Sequence, residues 1–328
     1  MKKTLLAFAV LGAFAGVASA QSSVTIYGVV DASISNNNGG VAGGSVTKLD
    51  SGSQSGSRLG FKGTEDLGGG LAAIFVLENG FNVDDGSLGG ANQLFGRQAF
   101  VGLTGGFGQV RFGRQKNVLY DTLDAIDPFH IGMAGDAWRL FAQYGKRSDN
   151  TMTYITPNLS GFAAQVSYSL GEVAGNNSAA RQIGANATYT NGPIYVALAY
   201  HEQKNALGTD EGKTTLLGGT YDFAVVKAHL GYAINKGVGT LDTRDVLAGV
   251  TVPFGPHAIL ADYIRKTDKH LSNADVDQYA IGYTYALSKR TNLYSSYSYT
   301  SNDNAVKYNA AVLGGTAKLF NVGVRHTF

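Results

Sequence analysis

Gln278-Tyr279-Ala280-Ile281-Gly282-Tyr283-Thr284-Tyr285 puts a large apolar side chain at every odd position and a small or polar one at every even position. A period of two is the mark of a β-strand with one apolar and one wet face. The same alternation recurs along the chain. Val24, Ile26, Gly28, Val30, Ala32 and Ile34 interleave with Thr25, Tyr27, Val29, Asp31 and Ser33. Leu59 and Phe61 interleave with Arg58, Gly60 and Lys62. Phe162, Ala164, Val166, Tyr168 and Leu170 do so with Ala163, Gln165, Ser167 and Ser169, and Leu230 and Tyr232 with His229 and Gly231. The chain ends in the same way, with Phe320, Val322, Val324, His326 and Phe328 on one phase.

The connections fall into two classes. Short turns are read at 66–70, 105–108, 157–161, 191–193 and 288–291, and long polar loops at 35–55, 82–93, 117–146, 172–180, 202–212 and 266–276. Short turns at one end and long loops at the other describe a transmembrane antiparallel β-barrel, and the length accommodates about sixteen strands. A soluble up-and-down barrel alternates likewise. Two features favour the membrane. Tyr and Phe gather at strand ends, as in interfacial girdles. The polar face carries charges that a dry core would reject.

Composition agrees. Charged residues are 15% of the 328 positions, against about 25% in soluble domains. Gly occurs 45 times and Cys not at all, which excludes a disulfide scaffold and a thiolate metal site. Residues 1–20 read as a secretory signal: Met1-Lys2-Lys3 is basic, Leu5 to Val17 is apolar, and Ala18-Ser19-Ala20 is a small-residue cleavage site. Its removal takes Lys2 and Lys3 from a net charge of +2 and leaves a neutral chain. A neutral chain argues against a nucleic-acid partner. Residues 21–328 then form one barrel domain.

Several segments together resemble the Gram-negative general porins, closest to the betaproteobacterial type. They are Ser23-Val24-Thr25-Ile26-Tyr27-Gly28-Val29-Val30-Asp31, Ser57-Arg58-Leu59-Gly60-Phe61-Lys62-Gly63-Thr64-Glu65-Asp66-Leu67-Gly68, Gly96-Arg97-Gln98-Ala99-Phe100-Val101-Gly102-Leu103, Phe112-Gly113-Arg114-Gln115 and the closing Val324-Arg325-His326-Thr327-Phe328. The resemblance implies a sixteen-stranded barrel, a homotrimer in the lipids and lipopolysaccharide of the outer membrane, and passive diffusion of small hydrophilic solutes and ions. It also implies that the third long loop folds into the lumen and narrows it, and that loop 82–93, with Asp84 and Asp85, latches onto a neighbouring subunit. Arg58, Arg97 and Arg147 match positions of the family's basic constriction cluster. Val29 stands where some relatives carry a lysine.

A pore selects by width and by the field across its narrowest part. Arg58 and Lys62 lie on the phase opposite Leu59 and Phe61. Arg97 opens a strand in which Phe100 takes the opposite phase, Arg111 lies between Val110 and Phe112, and Arg147 follows the longest loop. An arginine facing lipid at mid-membrane costs about 2–4 kcal/mol, so all five basic residues are expected on the lumen wall. Loop 117–146 supplies Asp121, Asp124, Asp127 and Asp136 for the opposite side, with Asp127 and Asp136 flanking the tip. Tyr27, Asp31 and Glu78 are expected to line the pore elsewhere. Ion preference is open at this level, with a lean toward anions.

Enzyme-like strings do not find their context. Gly208-Thr209-Asp210-Glu211-Gly212-Lys213-Thr214 is one residue short of a phosphate loop and lacks the strand-to-helix setting. Ser45-Val46-Thr47-Lys48 with Ser148-Asp149-Asn150 resembles a penicillin-recognising serine enzyme, but Lys213-Thr214-Thr215 lacks the glycine of the third element. The histidines at 130, 201, 229, 257, 270 and 326 show no metal-ligand spacing. No catalysis, metal or cofactor is expected. The alternative is a structural or adhesive barrel plugged by loop 117–146; an outer-membrane lipase or protease is a third reading, for which no Ser–His pair stands out.

Overall fold

The computed structural model describes residues 23–90, 93–141 and 143–328, and the signal segment 1–20 lies outside them. Strands β1 (Ser23–Val41), β2 (Gly44–Ser51), β3 (Arg58–Gly68), β4 (Leu71–Gly80), β5 (Gln98–Gly105) and β6 (Gly108–Lys116) come first. Two helices follow, α1 (Val118–Ile126) and α2 (Trp138–Phe141). Then come β7 (Arg147–Ile155), β8 (Phe162–Ser169), β9 (Gln182–Asn191), β10 (Ile194–Lys204), β11 (Glu211–Asp222) and β12 (Lys227–Lys236). The chain finishes with β13 (Asp242–Phe254), β14 (His257–Asp268), β15 (Val276–Ala286), β16 (Thr291–Asn302) and β17 (Thr316–Thr327).

Strands adjacent in sequence pair antiparallel, and β1 pairs with β17 to close the ring (Val30 opposite His326, Ile34 opposite Val322). Gly28 and Phe328 exchange two backbone hydrogen bonds, of 3.1 and 3.2 Å, at the seam. The upper half of β1 pairs with β2 and its lower half with β3, on the same edge. β2 and β3 are therefore one stave interrupted at 52–57, and seventeen strand segments build a closed sixteen-stranded antiparallel barrel. Closure leaves no edge with unpaired N–H and C=O groups, the condition for crossing hydrocarbon.

The two phases separate as the alternation predicts. Val101, Phe162 and Leu230 point outward with 58%, 59% and 63% of their surface exposed, whereas Leu216, His229, Ala233 and Gln278 on the other phase are buried. Side chains exposed on this scale are stable in lipid and costly in water. One expected loop is a hairpin: within 35–55, β1 and β2 continue to a tight turn at Ala42-Gly43, and only 52–57 is irregular. Both faces of this hairpin are polar, so the apolar half of the alternation is missing from its sequence. A connection at 303–315, not among those read from the sequence, joins β16 to β17.

The segment between β6 and β7 packs on the inward face. Asn117 caps α1, its side chain accepting from the Tyr120 N–H at 2.7 Å. The apolar stripe of α1, Leu119, Leu123 and Ile126, joins Trp138, Leu140 and Phe141 of α2 in one cluster with Ala199, Leu216, Ala233, Leu247 and Ile264 of the wall. Glycines make room for it. A Cβ on Gly249 would lie 2.7 Å from Pro128, and one on Gly282 2.6 Å from Phe129; Gly218 and Gly231 receive Ile126 in the same way.

Candidate functional site

Glu78, on β4, organises the basic residues. Its carboxylate is buried and accepts from Arg97 Nε at 2.8 Å and from the Tyr27 hydroxyl at 3.0 Å, with Arg58 Nε 3.8 Å away. Arg147, the first residue of β7, donates from Nε to the Arg97 carbonyl oxygen at 2.8 Å. Arg58, Arg97 and Arg147 thus belong to one wall. The Tyr120 ring faces it from α1, with Lys116, Lys146 and Arg147 at 5.3, 5.8 and 5.8 Å from its centroid. A cation over an aromatic face is attracted by the ring quadrupole.

An open cavity of about 1060 Å³ lies between this wall and segment 117–146. Eight basic residues line it (Lys48, Arg58, Arg97, Lys116, Arg139, Lys146, Arg147 and Arg325) against four acidic ones (Asp50, Glu78, Asp124 and Asp136). The excess is positive and, unlike net charge, is local to this cavity.

Among the expected residues, Arg58, Arg97, Arg147, Tyr27, Glu78, Asp124 and Asp136 come together at this cavity. Asp136 lies 3.5 Å from Lys146 and 3.8 Å from Arg139, so much of its charge is neutralised locally. Asp124 is half-buried on the cavity side of α1, and that burial raises its carboxyl above the usual range.

The others go elsewhere. Asp127, expected to flank the tip as a pore acid, is fully buried. It accepts from the N–H groups of Phe129, Ile131 and Ala137 at 2.8, 2.9 and 3.1 Å, and burial pushes its carboxyl up to about 7. It is an internal knot of the loop and does not line the cavity. Asp31, expected to line the pore, is also fully buried, its oxygens taken by Tyr294 and by the Gln54 and Ser55 N–H groups. Asp121 does not itself line the cavity but pairs at 3.3 Å with Lys116, which does. Lys62 lies over the Tyr27 ring at 5.4 Å, and Arg111 over Phe100 at 5.0 Å; neither reaches the cavity.

That last contact corrects the phase of β5. Phe100 is buried at 7% exposure, and Val101 and Leu103 face outward. Arg97 precedes β5 and reaches the wall through the loop backbone, not through the alternation. The alternation did contain a signal for Arg325, which is paired with Asp31 across the seam on the inward phase. Lys116 and Lys146, at the two ends of the long segment, were also visible as a basic neck. Among the described residues no three His, Cys, Asp or Glu side chains gather in a metal-binding group.

Comparison with known proteins agrees with this geometry. The family profile of the Gram-negative porin matches residues 7–305. An outer membrane porin protein of Bordetella pertussis is 34% identical over a 391-residue alignment spanning both chains in full, and outer membrane porin protein 32 of Delftia acidovorans is 36% identical, also in full. An anion-selective porin from Comamonas acidovorans superposes with a TM-score of 0.84 at 32% identity, covering 94% of this chain and 100% of that one. OmpF of Salmonella typhi shares the fold, with a TM-score of 0.72 at 18% identity. A closed sixteen-stranded barrel, apolar outside and charged within, matched end to end by outer-membrane porins, makes this chain a member of the Gram-negative porin family, a non-enzymatic diffusion channel of the outer membrane.

Proposed function

We propose that the constriction of this channel lies between the wall of Arg58, Arg97 and Arg147 and the loop 117–146, and that it favours small anions. The carrying observation is the excess of eight basic over four acidic side chains around one cavity. In a narrow, partly desolvated passage such an excess raises the local concentration of anions and lowers that of cations. The loop narrows the lumen from one side, because its apolar stripe is buried against the inward faces of β10–β14. Acids on the loop and arginines on the wall set up a transverse field that orients polar solutes. The likeness to the anion-selective porin of Comamonas acidovorans supports the same sign.

The working unit in this reading is a homotrimer surrounded by outer-membrane lipids and lipopolysaccharide, exported by segment 1–20. Loop 82–93, in which Asp84 and Asp85 are exposed, supplies a polar latch for a neighbouring copy. Single-channel recording in a planar bilayer tests the reading. Stepwise openings in three related levels are expected; a silent membrane would instead support a barrel plugged by loop 117–146.

A further inference from the structure

The interruption of the β2/β3 stave is a built feature of the interior. Residues 51–56 line the cavity together with the loop tip, residues 128–133. The Ser53 carbonyl accepts from the Met133 N–H at 2.5 Å. Gly132 lies directly against the Gln54 carbonyl, where an added Cβ would collide with backbone. The Gln54 side chain accepts from Asn292 Nδ2 at 2.8 Å, tying the segment to β16. Backbone strain sits at the same tip: His130, Ile131 and Met133 have φ of 51°, 53° and 54°, a region that non-glycine residues, and β-branched ones above all, avoid.

Asp31 holds the segment in this position. Its Oδ2 accepts from the N–H groups of Gln54 and Ser55 at 3.0 and 2.6 Å, and its Oδ1 from the Tyr294 hydroxyl at 2.5 Å. Ser57 closes the other end, donating from Oγ to the Asp31 carbonyl at 3.1 Å. A buried carboxylate engaged by this many donors is rigid, and leaving its partners unsatisfied is costly.

We propose that segment 52–57 is a second constriction element, a fixed post against which the tip of loop 117–146 rests, and that Asp31 and Tyr294 are positioning residues setting the width of the pore. The proposal rests on the constriction reading above and adds to it what stops the loop tip from moving. The tip has a second support in Ser296 Oγ, which accepts from the Ala134 N–H at 2.9 Å. Loss of the post should therefore loosen the tip without expelling the loop.

Single-channel recording of the reconstituted full chain, with neutral polyethylene glycols of graded size, tests it. Asp31→Asn keeps the shape but turns an amide N–H₂ toward donors. Gly132→Ala pushes the tip off Gln54 from the other side and leaves every charge in place. Each variant should admit the smallest polymer that the unmodified channel excludes and should add open-channel current noise. The double variant should do no more than the stronger single one, since both break one contact. Gly132→Ala should also keep the sign of the reversal potential. Wild-type polymer exclusion in both variants, with the barrel intact by circular dichroism, would overturn the proposal, as would strictly additive effects. An unmodified channel that conducts and excludes polymers keeps the constriction reading alive in that event; a silent one removes that reading itself.

Discussion

Glu78 lies 2.8 Å from the Arg97 guanidinium, nearly buried, and is the acid at the centre of the basic wall. Breaking such a pair from the two sides has opposite electrical consequences. Glu78→Gln should move the reversal potential in a salt gradient toward anions. Arg97→Ala should move it toward cations and destabilise the barrel by about 3–5 kcal/mol, because it leaves a buried carboxylate short of its closest partner. Equal shifts of the same sign from both variants would remove the pair from the conduction path.

The loop acids should divide by position. Asp136→Asn removes a charge at the cavity and should shift selectivity modestly toward anions, the local Lys146 and Arg139 being freed. Asp127→Ala should leave selectivity unchanged. It should instead cost about 1–3 kcal/mol for each N–H that loses its acceptor, seen as lower thermal stability and faster proteolysis in the loop. A clear selectivity change in Asp127→Ala would put this carboxylate back in the pore.

Selectivity should depend on pH through Asp124. Burial raises its carboxyl above the ordinary carboxylate range, so protonation sets in earlier as pH falls. Protonation deletes a negative charge from the cavity and leaves the arginines ionised. Acidification should therefore move the reversal potential toward anions, beginning at a higher pH than an unperturbed aspartate would set. In Asp124→Asn this part of the response should be missing. A response of equal size in the variant assigns the titration to another group.

Loop docking should be sensitive to the wall glycines. Gly282→Val brings a branched side chain against Phe129, where even a single Cβ would lie 2.6 Å from the ring. Overpacking of this kind costs about 1–3 kcal/mol. Current noise should rise and the temperature of barrel unfolding should fall, while Gly255→Ala in the exposed β13–β14 turn should leave the noise unchanged. Quiet channels in Gly282→Val would mean that the loop does not rest on β15.

The period-two pattern shows which face each strand residue takes, because lipid and lumen impose opposite solvents on successive side chains. It therefore places Leu230 and His229, or Ile281 and Gln278, correctly without any long-range information. It is silent where both faces are wet, which is why the β1–β2 hairpin reads as a loop. It also loses phase near a strand end, which is how Phe100 comes to be misread, although Arg97 just before it reaches the wall. Nor does facing inward mean facing the pore. Asp31 points inward but is covered by residues 54–55, and Asp127 is wrapped by its own loop; both depend on contacts between segments far apart in sequence. The glycines at 218, 231, 249 and 282 fall on the inward phase and mark the track of the loop, a signal that becomes legible only beside Ile126, Pro128 and Phe129.

The reversal potential of the reconstituted full chain across a potassium chloride gradient is the most direct measurement. A basic passage predicts an open channel whose zero-current voltage has the sign of chloride preference, and Arg58→Gln, Arg97→Gln and Arg147→Gln together should bring that voltage toward zero or beyond. A channel that prefers potassium before any substitution, or one whose preference survives the loss of all three arginines, would contradict the account.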